Sequence, residues 1–289
     1  MKVIARLACV AGCILLTGAA VADQGLYPKT DDEKNAAIDA LNWLSEPKSY
    51  TLDASHAHVR PPAGAILLLG SDAQRYAWLV SGVEFPDTEA VLRQESDGAD
   101  VYYEWRAEGH VDDSDWSDVD PDQLLSQYNE AINADRERYS VEPVQILRWL
   151  RPPTYDVASR TVTFAVELKD AENHWANVVA LRLGRGGYTE FTWVGSITSI
   201  QSSGNDPQLL RDALNGHEFD QGHRYADFRE GEEVATYSIA ELLEAKFEAK
   251  RGEGPSLGIL GAITVPAVLV FAYVAYELRQ LFPRNRANS

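Results

Sequence analysis

Residues 257–276, LGILGAITVPAVLVFAYVAY, run for 20 positions without a charge, and no other feature of the chain limits its fold as strongly. A helix rises about 1.5 Å per residue, so this length matches the ~30 Å hydrocarbon layer of a bilayer. Pro266 near its centre is better tolerated in lipid than in a soluble helix, and Tyr273 and Tyr276 suit the interface. A transmembrane helix is expected here, with the lipid bilayer as its partner. Residues 277–289 follow, where Arg279, Arg284 and Arg286 outnumber Glu277, the positive flank of a cytoplasmic tail.

The other end gives the same orientation. Residues 1–22 carry Lys2 and Arg6, then an apolar run from Leu7 to Leu16, then Ala20-Val21-Ala22 before Asp23. That order is a cleavable signal peptide. Val10-Ala11-Gly12-Cys13 has the form of a lipoprotein box, but Arg6 leaves it a very short apolar lead-in. Residues 23–251 are then an exported domain, with 252–256 a short linker to the membrane. Cys9 and Cys13 are the chain's two cysteines and both lie in the signal, so the mature domain relies on a packed core and not on disulfides.

Charge narrows the partners. Residues 23–256 hold 21 Lys and Arg against 43 Asp and Glu. Such a field repels nucleic acid and anionic headgroups, and it favours solubility or basic and cationic partners.

Within the domain, Thr30 with Glu33 reads as a capping box ahead of Ala37, Leu41 and Leu44, which predicts a helix over 31–45. GAILLLG and RYAWLV are short apolar runs. Residues 101–108 alternate Val101, Tyr103, Trp105 and Ala107 with Tyr102, Glu104, Arg106 and Glu108, the pattern of a strand with one dry and one wet face. Asp120 and Pro121 open a helix whose apolar face is Leu124, Leu125, Tyr128 and Ile132. Four strands follow in VQILRWL, TVTFAVELK, NVVALRLG and YTEFTWVG, joined too closely for helical crossovers, so an antiparallel meander is expected. A Ser238 to Glu241 capping box then starts a helix with Ile239, Leu242, Leu243 and Phe247 on one face. The fold class is α+β, a mostly antiparallel sheet with flanking helices plus the C-terminal transmembrane helix. Two subdomains divided near residues 140–150 are compatible with this order.

LGRGG, with Gly184, Gly186 and Gly187 around Arg185, has the composition of a phosphate cradle. Such a cradle needs a helix N-terminus behind it, and here a second strand-like run follows. A hairpin turn displaying Arg185 is the expectation.

Other candidate chemistry is sparse. Asp112, Asp113 and Asp115 lie in an Asp-rich stretch able to offer oxygen ligands to a hard cation, but the glycine and glutamate spacing of an EF-hand is missing. Helix capping and solvation account for it more simply. His56 and His58 alternate as two strand residues without a third ligand. Ser45 and Lys48 form an S-x-x-K that Pro47 interrupts. His223, Arg224, Tyr225 and Asp227 in GHRYADF form the most reactive short set, in which a His with a nearby Asp could do general acid–base work, with Arg185 and Asp156 as further site candidates. A structural polar network with Arg224 paired to an acidic neighbour explains the set more simply. No cofactor is expected.

GHVDDSDW (109–116), DPDQLL (120–125), WLRPPTYD (149–156), NVVALRLGRGG (177–187), GHRYADF (222–228) and VATYSIAEL (234–242), followed by the apolar run, together resemble a bacterial family of uncharacterised membrane-anchored proteins, the domain of unknown function 2167. Arg148 stands where that family usually has glycine and His110 where it usually has tyrosine, and a Trp-Gly-Asn-Pro phrase is missing near 82–86. The resemblance implies a single-pass bacterial membrane protein and brings no activity with it. With the signals at the two ends, the expected location is the bacterial inner membrane with the domain on the extracytoplasmic side. The expected role is an interaction or accessory module for another envelope or inner-membrane protein. An envelope enzyme or ligand-binding domain using residues 223–227 is the alternative.

Overall fold

The computed structural model describes residues 27–28, 30–81, 85–96, 98–138, 144–169, 174–201 and 206–248. The signal peptide expected at 1–22, the linker expected at 252–256, the transmembrane helix expected at 257–276 and the basic tail expected at 277–289 lie outside the described residues. Among the described residues no helix is long and apolar enough to cross a membrane.

In chain order the elements are α1 (Asp31–Asp39), β1 (Tyr50–Leu52), β2 (Ala57–Val59), β3 (Ala65–Leu69), α2 (Gly70–Ser81), β4 (Thr88–Gln94), β5 (Asp100–Arg106), α3 (Pro121–Arg138), β6 (Gln145–Asp156), β7 (Thr161–Lys169), β8 (His174–Leu183), β9 (Tyr188–Gly195), α4 (Ile197–Gln201), α5 (Gln208–Gly216), β10 (His217–Phe219) and α6 (Ile239–Glu248). Seven strands form one sheet in the order β3-β4-β5-β9-β8-β7-β6, and β1-β2-β10 form a second. Each pairing of neighbouring strands is antiparallel. The meander predicted from the sequence is therefore present over β6 to β9. The β5–β9 pairing joins the strands before residues 140–150 to those after them.

Alternation along β7, β8 and β9 sends Val162, Phe164, Val166, Leu181, Leu183 and Val194 to one face of the sheet. There they pack on Leu124 and Tyr128 of α3 and on Ile239, Leu242 and Leu243 of α6. The opposite face presents Val101, Tyr103, Val178, Phe191 and Trp193 to Leu209, Leu210 and Ala213 of α5 and to Phe219 of the small sheet. Each fully buried large side chain contributes about 1.5–3 kcal/mol by leaving water, so two covered faces give a core of ordinary size without disulfides.

Two expectations change. The helix predicted over 31–45 ends at Asp39, because Leu44 leaves it to bridge Leu67 at the β3 edge. Thr30 caps it as anticipated, accepting from the Glu33 amide at 3.2 Å. The second correction concerns β5, whose wet face is dry. Tyr102, Glu104 and Arg106 are buried, because β5 sits inside the sheet between β4 and β9, with Tyr76, Ala77 and Val80 of α2 packed near Tyr102. Alternation reveals which residues share a face, and only the sheet order reveals what covers it.

Candidate functional site

The segment after β5 runs between the β8–β9 hairpin and the chain leading into α6. Gly109 donates to the Gly186 carbonyl at 3.2 Å, His110 to Glu233 at 2.9 Å, and Ala235 and Ile239 donate back to His110 and Asp112 at 2.9 and 2.8 Å. Gly109 has φ +84°, and a Cβ there would meet the Val234 carbonyl carbon at 2.8 Å, so both backbone angle and space require glycine. The phrases read from the sequence at 109–116, 149–156, 177–187, 222–228 and 234–242 thus meet at one end of the domain.

Asp113 is the centre of this junction. Its carboxylate accepts from the hydroxyls of Tyr155 and Tyr225, the latter at 2.9 Å, and pairs with Arg160, whose guanidinium lies over the Tyr225 ring at 4.9 Å. Tyr225 also reaches the Val111 carbonyl at 2.9 Å. Burial pushes the Asp113 carboxyl up, but hydrogen bonds from Tyr155, Tyr225 and Arg160 outweigh it and hold the group below its usual range. Burial and the Asp113 bond push Tyr155 up to about 12, and the same two causes raise Tyr225. Beside them the His110 ring stacks on Phe228 at 3.9 Å and lies 4.3 Å from Tyr225. Burial lowers its pKa and keeps it neutral near pH 7.

The remaining candidates hold neighbouring loops in place. Arg185 pairs with Glu232 through two nitrogens, one at 2.8 Å, and donates to the Gly222 carbonyl at 2.6 Å, while its amide donates to the His223 carbonyl at 3.0 Å. Asp227 accepts from the backbone amides of Gly222 and Arg224 at 2.9 and 3.1 Å, and Arg224 pairs with Glu218. His223 stacks on His56 at 4.0 Å. Asp156 accepts from Ala158 and Ser159 at 3.0 and 2.6 Å within the β6–β7 turn. Arg185 and residues 222–227 are therefore brought together, and Asp156 is not joined to them by its hydrogen bonds.

The acidic stretch divides in the same way. Asp112 accepts from Ser114, Asp113 serves the junction, and Asp115 accepts from Ser238 and from the Ala240 amide, capping α6. Asp120 caps α3 through the amides of Asp122 and Gln123. Among the described residues no group of three His, Cys, Asp or Glu side chains is arranged to hold a metal ion. His56 and His58 do not act as alternate strand residues, since His56 has φ +51° and faces His223, whereas His58 pairs with Asp220 at 3.0 Å. Lys48 pairs with Glu46. LGRGG is a hairpin, with the Gly184 amide donating to the Gly187 carbonyl at 2.8 Å.

Chemically, a carboxylate that accepts three donors is a weak base, and phenols held protonated are donors and not nucleophiles. The arrangement suits holding a surface in a fixed shape. Sequence reading missed Tyr155, Arg160, Tyr225 and His110 as a group, because more than a hundred positions separate His110 from Tyr225 and only the sheet brings them together.

The fold and this junction define an α+β domain in which widely spaced polar phrases are tied together at one end of a seven-stranded antiparallel sheet. A family model described as "Protein of unknown function (DUF2167)" matches residues 45–275, and the chain belongs to that family. No curated protein matches the chain. Among solved structures it is similar to the solution structure of cyanobacterial PsbP (CyanoP) from Synechocystis sp. PCC 6803, at 9% identity over 61% of this chain and 94% of that one, with a TM-score of 0.38.

Proposed function

We propose that the protein is a membrane-tethered extracytoplasmic module that works by contacting another envelope or inner-membrane protein. In this reading residues 1–22 are removed, 257–276 anchor the chain in the bacterial inner membrane, and 277–289 remain in the cytoplasm. The observation that carries the proposal is the use made of the reactive side chains. Asp113, Asp156, Arg185, Arg224 and Asp227 are each engaged by neighbours that fix loop shape. Shape held by satisfied polar groups is the requirement of a recognition surface, which gains affinity from being preorganised. The test is crosslinking in cells, followed by recovery through a tag on the cytoplasmic tail. One protein recovered in near-equal amount with the bait supports the proposal, and recovery of the bait alone refutes it.

A further inference from the structure

One row of side chains takes no part in the junction. On the sheet face that carries α2, α3 and α6, Thr88, Glu104 and Glu190 stand directly opposite one another across β4, β5 and β9, and Thr192 follows Glu190 two residues on. Directly opposite residues in an antiparallel pair have Cβ atoms about 4.5–5.5 Å apart. Glu104 and Glu190 are therefore placed for their carboxylates to converge. Both are buried, at 4% and 2% exposure; Arg106 pairs with Glu104 and with Asp87, and Glu190 is a further electrostatic neighbour of its guanidinium. Three carboxylates thus gather at the Arg106 guanidinium.

The hydroxyls add an independent observation. Thr88 and Thr192 are each 1% exposed, and the Oγ1 of each has no hydrogen-bond partner. A buried hydroxyl without a partner costs about 1–3 kcal/mol, so two of them on one face beside a carboxylate pair point to a group that completes them. Oxygen is the donor atom throughout, which selects hard cations over those preferring imidazole or thiolate. Asp87, 47% exposed, gives the row a side open to solvent.

We propose that this row is a binding site for a hard divalent cation, with Glu104 and Glu190 as its carboxylate ligands and Thr88 and Thr192 as hydroxyl donors. The site lies on the sheet, apart from the Asp-rich stretch that sequence alone singles out. It stands independently of the proposed docking role.

The test uses the full chain purified in detergent, stripped with a chelator and titrated with Tb³⁺ at physiological ionic strength. Emission is sensitised through the neighbouring tyrosines, with Ca²⁺ and Mg²⁺ as competitors. One saturable equivalent is expected, weakened at least about tenfold by Glu190→Gln and unchanged by Asp112→Asn. Binding that does not saturate, or that Glu190→Gln leaves unchanged, overturns the proposal. Where Glu190→Gln does not fold, Thr192→Val keeps the side-chain shape and should still weaken binding several-fold, and unchanged affinity in that variant is equally fatal. A parent protein that ignores the cation but gains stability relative to Glu190→Gln between pH 7 and pH 5 would mean that the two carboxylates share a proton, which also overturns the site.

Discussion

Acidification should destabilise this domain through His217, and the size of the effect follows from where β10 puts that ring. His217 lies between the two sheets at 4% exposure, with Phe191 and Phe219 edge-on at 5.1 and 4.9 Å. Its Nε2 is 3.5 Å from the Thr189 hydroxyl, and its Nδ1 has no partner. Burial, and then the charge of Arg182, lower its pKa to about 3. A histidine in the unfolded chain titrates near 6.5, so below that pH the unfolded state binds a proton that the folded state refuses. Stability conferred by the neutral ring is thus complete above about pH 6.5 and is lost as pH falls toward 3. From pH 7 to pH 5 the loss integrates to about 2 kcal/mol. Urea unfolding followed by tryptophan fluorescence, in mild detergent at pH 7, 6 and 5, measures it. His217→Gln removes the titrating group, so the parent should lose about 2 kcal/mol more than the variant over that range. Parallel pH profiles for the two proteins, or an NMR titration placing His217 near 6.5, would refute the reasoning.

Two further outcomes test the packing of the junction. Gly187→Ala would set a Cβ 1.9 Å from the Arg106 carbonyl oxygen, an overlap that the backbone must move to relieve. A loss of about 3 kcal/mol or more is expected in denaturant unfolding, and a loss under 1 kcal/mol would show that the hairpin is not held against β5. Asp113→Asn removes the charge that accepts from Tyr155, Tyr225 and Arg160. Because the folded pKa of Asp113 lies below its unfolded value, its contribution exists above about pH 4 and fades as pH falls further. The variant should therefore be less stable than the parent by about 1–3 kcal/mol at pH 7, and the gap should narrow in acid. A gap that stays constant with pH would contradict the assignment.

How much of this was legible in advance depended on the range of each interaction. The α3 cap at Asp120, the Ser238 cap of α6 and the hairpin at Gly184 to Gly187 are local, and each is where the residues indicated. The meander over β6 to β9 needs only alternation and short connections. By contrast, β5 inserts beside β9, more than eighty positions away, and no periodicity encodes that choice. The polar candidates were read as a reactive set because short segments concentrate them. In the fold, Asp227 turns to its own backbone and Arg185 to Glu232, while the residues that do converge, Asp113, Tyr155, Arg160 and Tyr225, come from three separate stretches.

The sequence by itself determined the helix caps, the strand alternation, the glycine turn, the excess of acid and the charge-free run at 257–276, because each rests on neighbours in the chain or on composition alone. Tertiary structure decided which face of β5 is dry, which carboxylates are buried opposite one another and which hydroxyls meet Asp113. Those outcomes depend on which strands pair and what covers them, and that is set by the packing of residues far apart in the chain.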